Sequence, residues 1–299
     1  MIKVGNKQIE VKHFPDGTQL LNGWNLYDWE TNAGYYDIFW RYEHDEELIT
    51  IIYLVNHIRK EFKDAKIALK MPYIPNARMD RVKNDDEVFT LKWFCNIINS
   101  LGFDKVFVLD PHSDVSVALL NNVRVLTPVK YIEMTFLDMR NSAHITDKKD
   151  IVIYFPDAGA YKRYKDLTCF SPLFTKVYGQ KVRDWNTGKI VGLDIVDENH
   201  KSLEPGSLTG KYVLMIDDII SYGGTMYYSA LKIHELGAEN IFAYATHVES
   251  ESLWSADNGT FKKVLGYNDS DEKAIVEKLY TTDSIYKYGD GAKVKVFKI

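Results

Sequence analysis

Asp217 and Asp218 stand side by side at the end of the apolar run Val213 to Ile216, and Ser221, Tyr222, Gly223, Gly224 and Thr225 follow closely. Two adjacent carboxylates can accept charge-assisted hydrogen bonds from vicinal sugar hydroxyls, each worth roughly 1.5–3 kcal/mol. A glycine pair lets backbone N–H groups close around a phosphate at the positive end of the next helix. The apolar run reads as a strand buried on both faces of a parallel sheet, and Thr225 to Leu236 as the helix after it, closed by Gly237. The loop then lies at a carboxyl end of the sheet, where open α/β folds bind ligands, and the combination reads as a sugar-phosphate site. The competing reading is an ordinary strand-turn-helix connection with two solvated aspartates; the full order of strand, aspartate pair, loop, threonine and helix favours the ligand site.

These elements belong to an alternation that runs along the chain. Asp45 to Phe62 carries apolar residues at Leu48, Ile51, Ile52, Val55, Ile58 and Phe62, the spacing of one helical face. Ile67 to Met71 then reads as a short buried strand, Val88 to Leu101 as a helix stopped by Gly102, and Lys105 to Asp110 as the next strand. After Pro128 the pattern resumes with a helix to about Met139, the strand Ile151 to Phe155 and a helix after Gly159. Two α/β units are expected, with a boundary near Thr127 and Pro128, each a mainly parallel sheet flanked by helices. The last strand, Lys293 to Phe297, fits either unit.

With 299 residues, 45% hydrophobic and 26% charged, the chain has the composition of a globular protein with a sizeable core. The first residues lack a signal-peptide core, and the apolar stretch Ile49 to Val55 is far shorter than the roughly 20 residues that span a bilayer, so a cytoplasmic location away from the membrane is expected. Cys95 and Cys169 suggest small buried hydrophobes, not a disulfide framework or a thiolate metal cage. A net charge of −5 argues against nucleic acid as the main partner.

Other residues could serve a phosphorylated ligand. His112 and Asp157 each follow a strand, where a sheet delivers ligands; taken alone, a histidine after Asp110 and Pro111 reads more often as a turn residue. Arg78, Asp80 and Arg81 occupy the loop after Met71, with a plain salt bridge as the alternative for the last two. Lys181 and Arg183 lie in the polar stretch Tyr178 to Lys189, which reads as a mobile loop or hairpin tip. Phe14 to Gly17 reads as a turn between two strands. Trp24, Tyr27, Trp29, Tyr35, Tyr36, Phe39 and Trp40 read as core or interface more than as a ligand platform.

The segment Ile216 to Thr225 resembles the ribose-phosphate binding loop of the type I phosphoribosyltransferase superfamily. His13 to Thr18, Met71 to Arg81, Val108 to His112, Phe155 to Gly159 and Lys181 to Arg183, in family order over nearly the whole chain, narrow the resemblance to the ribose-phosphate diphosphokinases, or phosphoribosyl diphosphate synthetases. The resemblance implies two phosphoribosyltransferase-like domains: residues 1–127, joined by the last strand at about 288–299, and residues 128–287 with the loop. It implies transfer of the diphosphoryl group of ATP to ribose 5-phosphate, giving phosphoribosyl diphosphate and AMP. In that reading Lys181 and Arg183 act on the transferring phosphoryl groups, a point charge beside a planar fork. Asp217, Asp218, Ser221, Tyr222, Gly223, Gly224 and Thr225 hold ribose 5-phosphate, while Phe14, Asp16, Thr18, Arg78, Met79, Asp80, Arg81 and His112 hold ATP. Mg²⁺ is implied at His112 and Asp157, with direct carboxylate contact expected at Asp157 because Mg²⁺ prefers oxygen. The turn Phe14 to Thr18 is implied to reach a neighbouring subunit's nucleotide site, hence a homo-oligomer, dimer or hexamer.

The chain departs from the family in several places. Relatives usually carry glutamate at Thr18, glutamine at Met79 and an Asp-Thr pair at Ser221 and Tyr222, and Lys83 to Glu87 is acidic where they carry more lysine and arginine. A phosphoribosyltransferase consuming phosphoribosyl diphosphate, or a non-catalytic nucleotide-binding regulator associated with a synthetase, are the alternatives.

Overall fold

The protein is seen in a computed structural model that describes residues 1–21, 31, 34–183, 190–266 and 274–299. The chain divides into two compact units, Met1–Thr127 and Pro128–Ile299.

The first unit contains β1 (Ile2–Val4), β2 (Lys7–Gln8), β3 (Lys12–His13), β4 (Gln19–Leu20), β5 (Tyr35–Trp40), α1 (Glu46–Glu61), β6 (Lys66–Lys70), α2 (Thr90–Ser100), β7 (Lys105–Leu109), α3 (Asp114–Leu119) and β8 (Val123–Leu126). Its main sheet runs β2-β1-β5-β6-β7-β8, parallel from β5 to β8 and antiparallel at β1 and β2, while β3 and β4 form a separate hairpin. Short apolar strands need helical cover, and α1 buries Ile51, Leu54, Val55 and Ile58 while α2 buries Leu91, Phe94, Cys95 and Ile98. Trp40 is fully buried, and its indole N–H donates to Glu47 at 2.9 Å.

The second unit contains α4 (Val129–Ser142), β9 (Ile151–Phe155), α5 (Ala158–Tyr164), β10 (Thr175–Arg183), β11 (Ile190–Asp197), β12 (Tyr212–Ile220), α6 (Gly224–Glu235), β13 (Asn240–Val248), α7 (Ser250–Leu253), α8 (Phe261–Val264), β14 (Val276–Thr282) and β15 (Val294–Phe297). The sheet order is β11-β10-β9-β12-β13-β14-β15, parallel except for the β10–β11 hairpin. From β9 the chain passes through α5 to β10 on one side, and from β12 through α6 to β13 on the other. Right-handed crossovers running in opposite directions put their helices on opposite faces of the sheet. Packing agrees, since Met226, Ala230 and Ile233 of α6 share a core with Val152, Tyr154, Val213 and Met215, whereas Phe155 meets Tyr161 and Tyr164 of α5. The carboxyl ends of β9 and β12 therefore flank a topological switch point, the crevice where open α/β sheets bind ligands.

Three expectations need correction. The last strand does not return to the first unit: β15 extends the second sheet beside β14, buries Val294, Val296 and Phe297, and stacks Phe297 on Tyr280 and Tyr131 with centroids 6.1 and 6.3 Å apart. The strand before the aspartate pair does not stop at Ile216, because β12 keeps pairing with β13 through Asp217↔Ala245, Ile219↔His247 and Ile220↔Val248. Lys181 and Arg183 lie in strand β10, paired with Leu193 and Ile190 toward the tip of the β10–β11 hairpin, so the hairpin reading holds and the loop reading does not. Trp24, Tyr27 and Trp29, and residues 184–189 of the polar stretch, lie outside the described residues. Cys95 is buried and Cys169 partly so, and burial pushes both thiols up to about 11. No helix among the described residues is long and apolar enough to cross a membrane.

Candidate active site

Three carboxylates gather at the switch point of the second unit. Asp157, just past β9, is the N-cap of α5: its Oδ1 accepts the Ala160 N–H at 2.9 Å, which satisfies one of the helix's unpaired donors. Asp217 and Asp218 are consecutive in β12, so strand alternation sends them to opposite faces. Asp218 is only 4% exposed, and its Oδ1 lies 2.9 Å from Nη1 of Arg163 on α5. Asp217 is partly buried, and its Oδ1 accepts the N–H of Asp218 at 2.9 Å. Removal from water holds the Asp217 carboxyl well above the usual range, and the charge of Asp218 adds to that, with a further contribution from Asp157.

The phosphate-sized turn follows β12. Gly223 is the N-cap of α6 at φ +79, and a Cβ there would meet the Cβ of Phe261 at 2.3 Å, so both backbone and space demand glycine. The Tyr222 carbonyl accepts from the backbone N–H of Thr260 at 2.9 Å and from its hydroxyl at 3.0 Å. The Gly223 carbonyl takes the N–H of Tyr227 and opens the helical ladder, which leaves the amides of Gly224, Thr225 and Met226 at the positive end of the helix. Thr225 is exposed beside them. The Ser221 hydroxyl, expected to face a phosphate, donates instead to Oε2 of Glu249 at 2.6 Å.

Strand β10 runs close beside β9. A Cβ on Gly179 would meet the Pro156 carbonyl oxygen and the Tyr154 hydroxyl at 2.5 Å each, so only glycine lets the backbone pass there. Lys181 and Arg183 follow on this strand of the hairpin.

In the first unit, the loop after β6 and His112 after β7 occupy the carboxyl ends of neighbouring parallel strands. Arg78 is exposed, Met79 and Asp80 are partly buried, and Arg81 pairs with Asp80 at 3.3 Å. The plain salt bridge is thus present. His112 is partly buried and follows Asp110, which is 3% exposed and holds a left-handed φ of +45. The turn Phe14 to Thr18 joins β3 to β4: Asp16 accepts from the N–H and hydroxyl of Thr18 at 3.0 and 2.7 Å, and those bonds lower its pKa. Phe14 is 47% exposed at the tip. In the acidic stretch, Glu87 accepts from the amides of Lys83 and Asn84 at 2.7 and 3.4 Å and so closes the loop on itself.

Among the described residues no three His, Cys, Asp or Glu side chains converge as a metal cage. Mg²⁺ binds through one or two carboxylates together with waters and substrate phosphates, and an exposed carboxylate at a switch point, as Asp157 is, suits an ion that arrives with its nucleotide. Sequence reasoning missed Arg163 and Glu249. Arg163 stands six residues after Asp157, a spacing that signals nothing until α5 folds over β12. Glu249 reaches Ser221 only because β13 ends beside β12.

No family model matches the chain. The ribose-phosphate pyrophosphokinase of Sulfurisphaera tokodaii is 27% identical over 249 residues, 83% of this chain and 78% of that protein. The enzyme of that name from Thermococcus kodakarensis is 26% identical over 243 residues, 80% and 77% of the two chains. The crystal structure of phosphoribosylpyrophosphate synthetase from Mycobacterium smegmatis shares the fold, with a TM-score of 0.66 over 97% of this chain and 86% of that one at 16% identity. The two α/β units are accordingly phosphoribosyltransferase-like. Sequence likeness that runs through both units, joined to a common fold, makes the chain similar to ribose-phosphate pyrophosphokinases.

Proposed function

We propose that the chain transfers the diphosphoryl group of ATP to the anomeric hydroxyl of ribose 5-phosphate, giving phosphoribosyl diphosphate and AMP. The observation that carries this reading is the aspartate pair and glycine turn joined at one switch point, carboxylates for sugar hydroxyls next to amides for a phosphate. Asp217 accepts from ribose hydroxyls, and the amides of Gly224 and Thr225, with the Thr225 hydroxyl, receive the 5-phosphate. Tyr222 borders the loop, and Ser221 stays on Glu249.

Displacement at phosphorus depends on positioning and charge neutralisation more than on a strong base. Mg²⁺, held by Asp157 and by the phosphates themselves, would neutralise the triphosphate. Lys181 and Arg183 meet charge that develops as the diphosphoryl group moves. ATP itself is assigned to Phe14, Asp16, Thr18, Arg78, Met79, Asp80, Arg81 and His112, with the turn Phe14 to Thr18 supplied by a neighbouring subunit of a dimer or hexamer. His112 serves phosphate or metal. We place the protein in the cytoplasm. Incubation with ATP, ribose 5-phosphate and Mg²⁺, with AMP measured against ADP, tests the reading.

A further inference from the structure

The aspartates of the pair are adjacent in sequence and unlike in surroundings. Strand alternation turns Asp217 toward the face carrying α6, whose N-terminus forms the phosphate turn, and Asp218 toward the face carrying α5. Asp217 shares its side of β12 with Met215, which packs in the α6 core. Asp218 is buried at 4% exposure, and its Oδ1 meets Nη1 of Arg163 at 2.9 Å. The helix that presents this arginine is the seven-residue α5, whose first turn is capped by Asp157.

We propose that Arg163 is a positioning residue that commits Asp218 to α5 and leaves Asp217 as the carboxylate of the pair that recognises the sugar. The inference rests on the ribose 5-phosphate reading above. A buried carboxylate without its cation either takes up a proton or turns toward water. For Asp218 both routes disturb Asp217, whose Oδ1 is fixed on the Asp218 amide. The Asp157 cap at the start of the same helix is a separate bond, from the Ala160 N–H at 2.9 Å, which loss of the ion pair leaves in place. Arg163 itself touches no substrate; its effect passes through Asp218.

The test compares Arg163→Met, Arg163→Lys, Asp218→Asn and the double variant Arg163→Met/Asp218→Asn, after thermal melts show that each folds. Ribose 5-phosphate binding is read from its thermal shift, and KM for each substrate and kcat from AMP formation. Arg163→Met is expected to raise the ribose 5-phosphate KM about tenfold and leave the ATP KM within twofold. Arg163→Lys should recover most of that loss, because a cation is restored. The double variant should be no worse than Arg163→Met alone, because an amide at position 218 needs no counter-ion. An unchanged ribose 5-phosphate KM in a folded Arg163→Met, or losses that multiply in the double variant, would overturn the proposal. A wild-type protein that shows neither a ribose 5-phosphate shift nor AMP removes the functional reading itself. A normal wild type with an indifferent Arg163→Met removes only this inference.

Discussion

The Ser221 hydroxyl donates a hydrogen bond to Oε2 of Glu249 at 2.6 Å, so the side chain that opens the glycine turn faces a carboxylate of the neighbouring strand end. Ser252 donates to the same oxygen at 3.1 Å, and the Glu249 amide closes on the Ile220 carbonyl at 2.9 Å. Glu249 therefore holds the turn in shape while placing a negative charge behind it. Glu249→Gln keeps an acceptor for Ser221 and removes that charge. Repulsion of roughly 1 kcal/mol from a phosphate several ångströms away would be relieved. The ribose 5-phosphate KM should fall roughly two- to fivefold with the ATP KM unchanged, as substrate titrations will show; a rise would mean that the charge organises the turn.

The raised pKa of Asp217 has a consequence for stability. The folded protein holds a proton on this group that the unfolded chain gives up near 3.8, so the group's contribution is fullest below that value and declines as pH rises toward the folded pKa. Asp217→Asn should therefore melt higher than wild type at neutral pH, with the difference shrinking toward pH 4 or below. The same variant exchanges a carboxyl partner of a sugar hydroxyl for an amide, and its ribose 5-phosphate KM should rise about 10- to 100-fold while the ATP KM holds. Melts across pH and two KM titrations check both halves. An equal rise for both substrates would assign the aspartate to metal or structure.

Lys181→Ala should lower kcat by about 100-fold with little change in either KM, since the contact strengthens only as charge moves in the transition state. Steady-state kinetics decide it, and an unchanged kcat would make Lys181 an ordinary strand residue.

Much of this architecture was legible in the sequence, and the exceptions share one cause. The helices α1, α2 and α4 and the strand β9 follow from local periodicity, and the aspartate pair with its glycine turn is local too. What required the fold were contacts between distant segments. Pairing with β13 carries β12 four residues past Ile216, Arg163 reaches Asp218 from another helix, and Glu249 reaches Ser221 across a strand boundary. The short apolar β15 carries no mark of which sheet will accept it; burial of Phe297 against Tyr280 and Tyr131 decides.

The turn Phe14 to Thr18, if donated to a neighbour, makes activity a property of the assembly. Asp16→Arg alters the donated turn and His112→Ala the receiving site, so each alone should be inactive. Mixed after sizing shows that both assemble and exchange subunits, they should regain activity through interfaces that pair intact Asp16 with intact His112. No recovery, or an active monomer on sizing, would contradict a shared site.

The most direct measurement follows the fate of the β- and γ-phosphorus of ATP. Purified protein is incubated with ATP, ribose 5-phosphate and Mg²⁺, and nucleotide and sugar products are resolved. The account predicts AMP and a sugar carrying both phosphorus atoms as a diphosphate, in equal amounts and only when ribose 5-phosphate and a divalent metal are present. Appearance of ADP with a singly phosphorylated anomeric position, or no nucleotide turnover by folded, assembled protein, would contradict it.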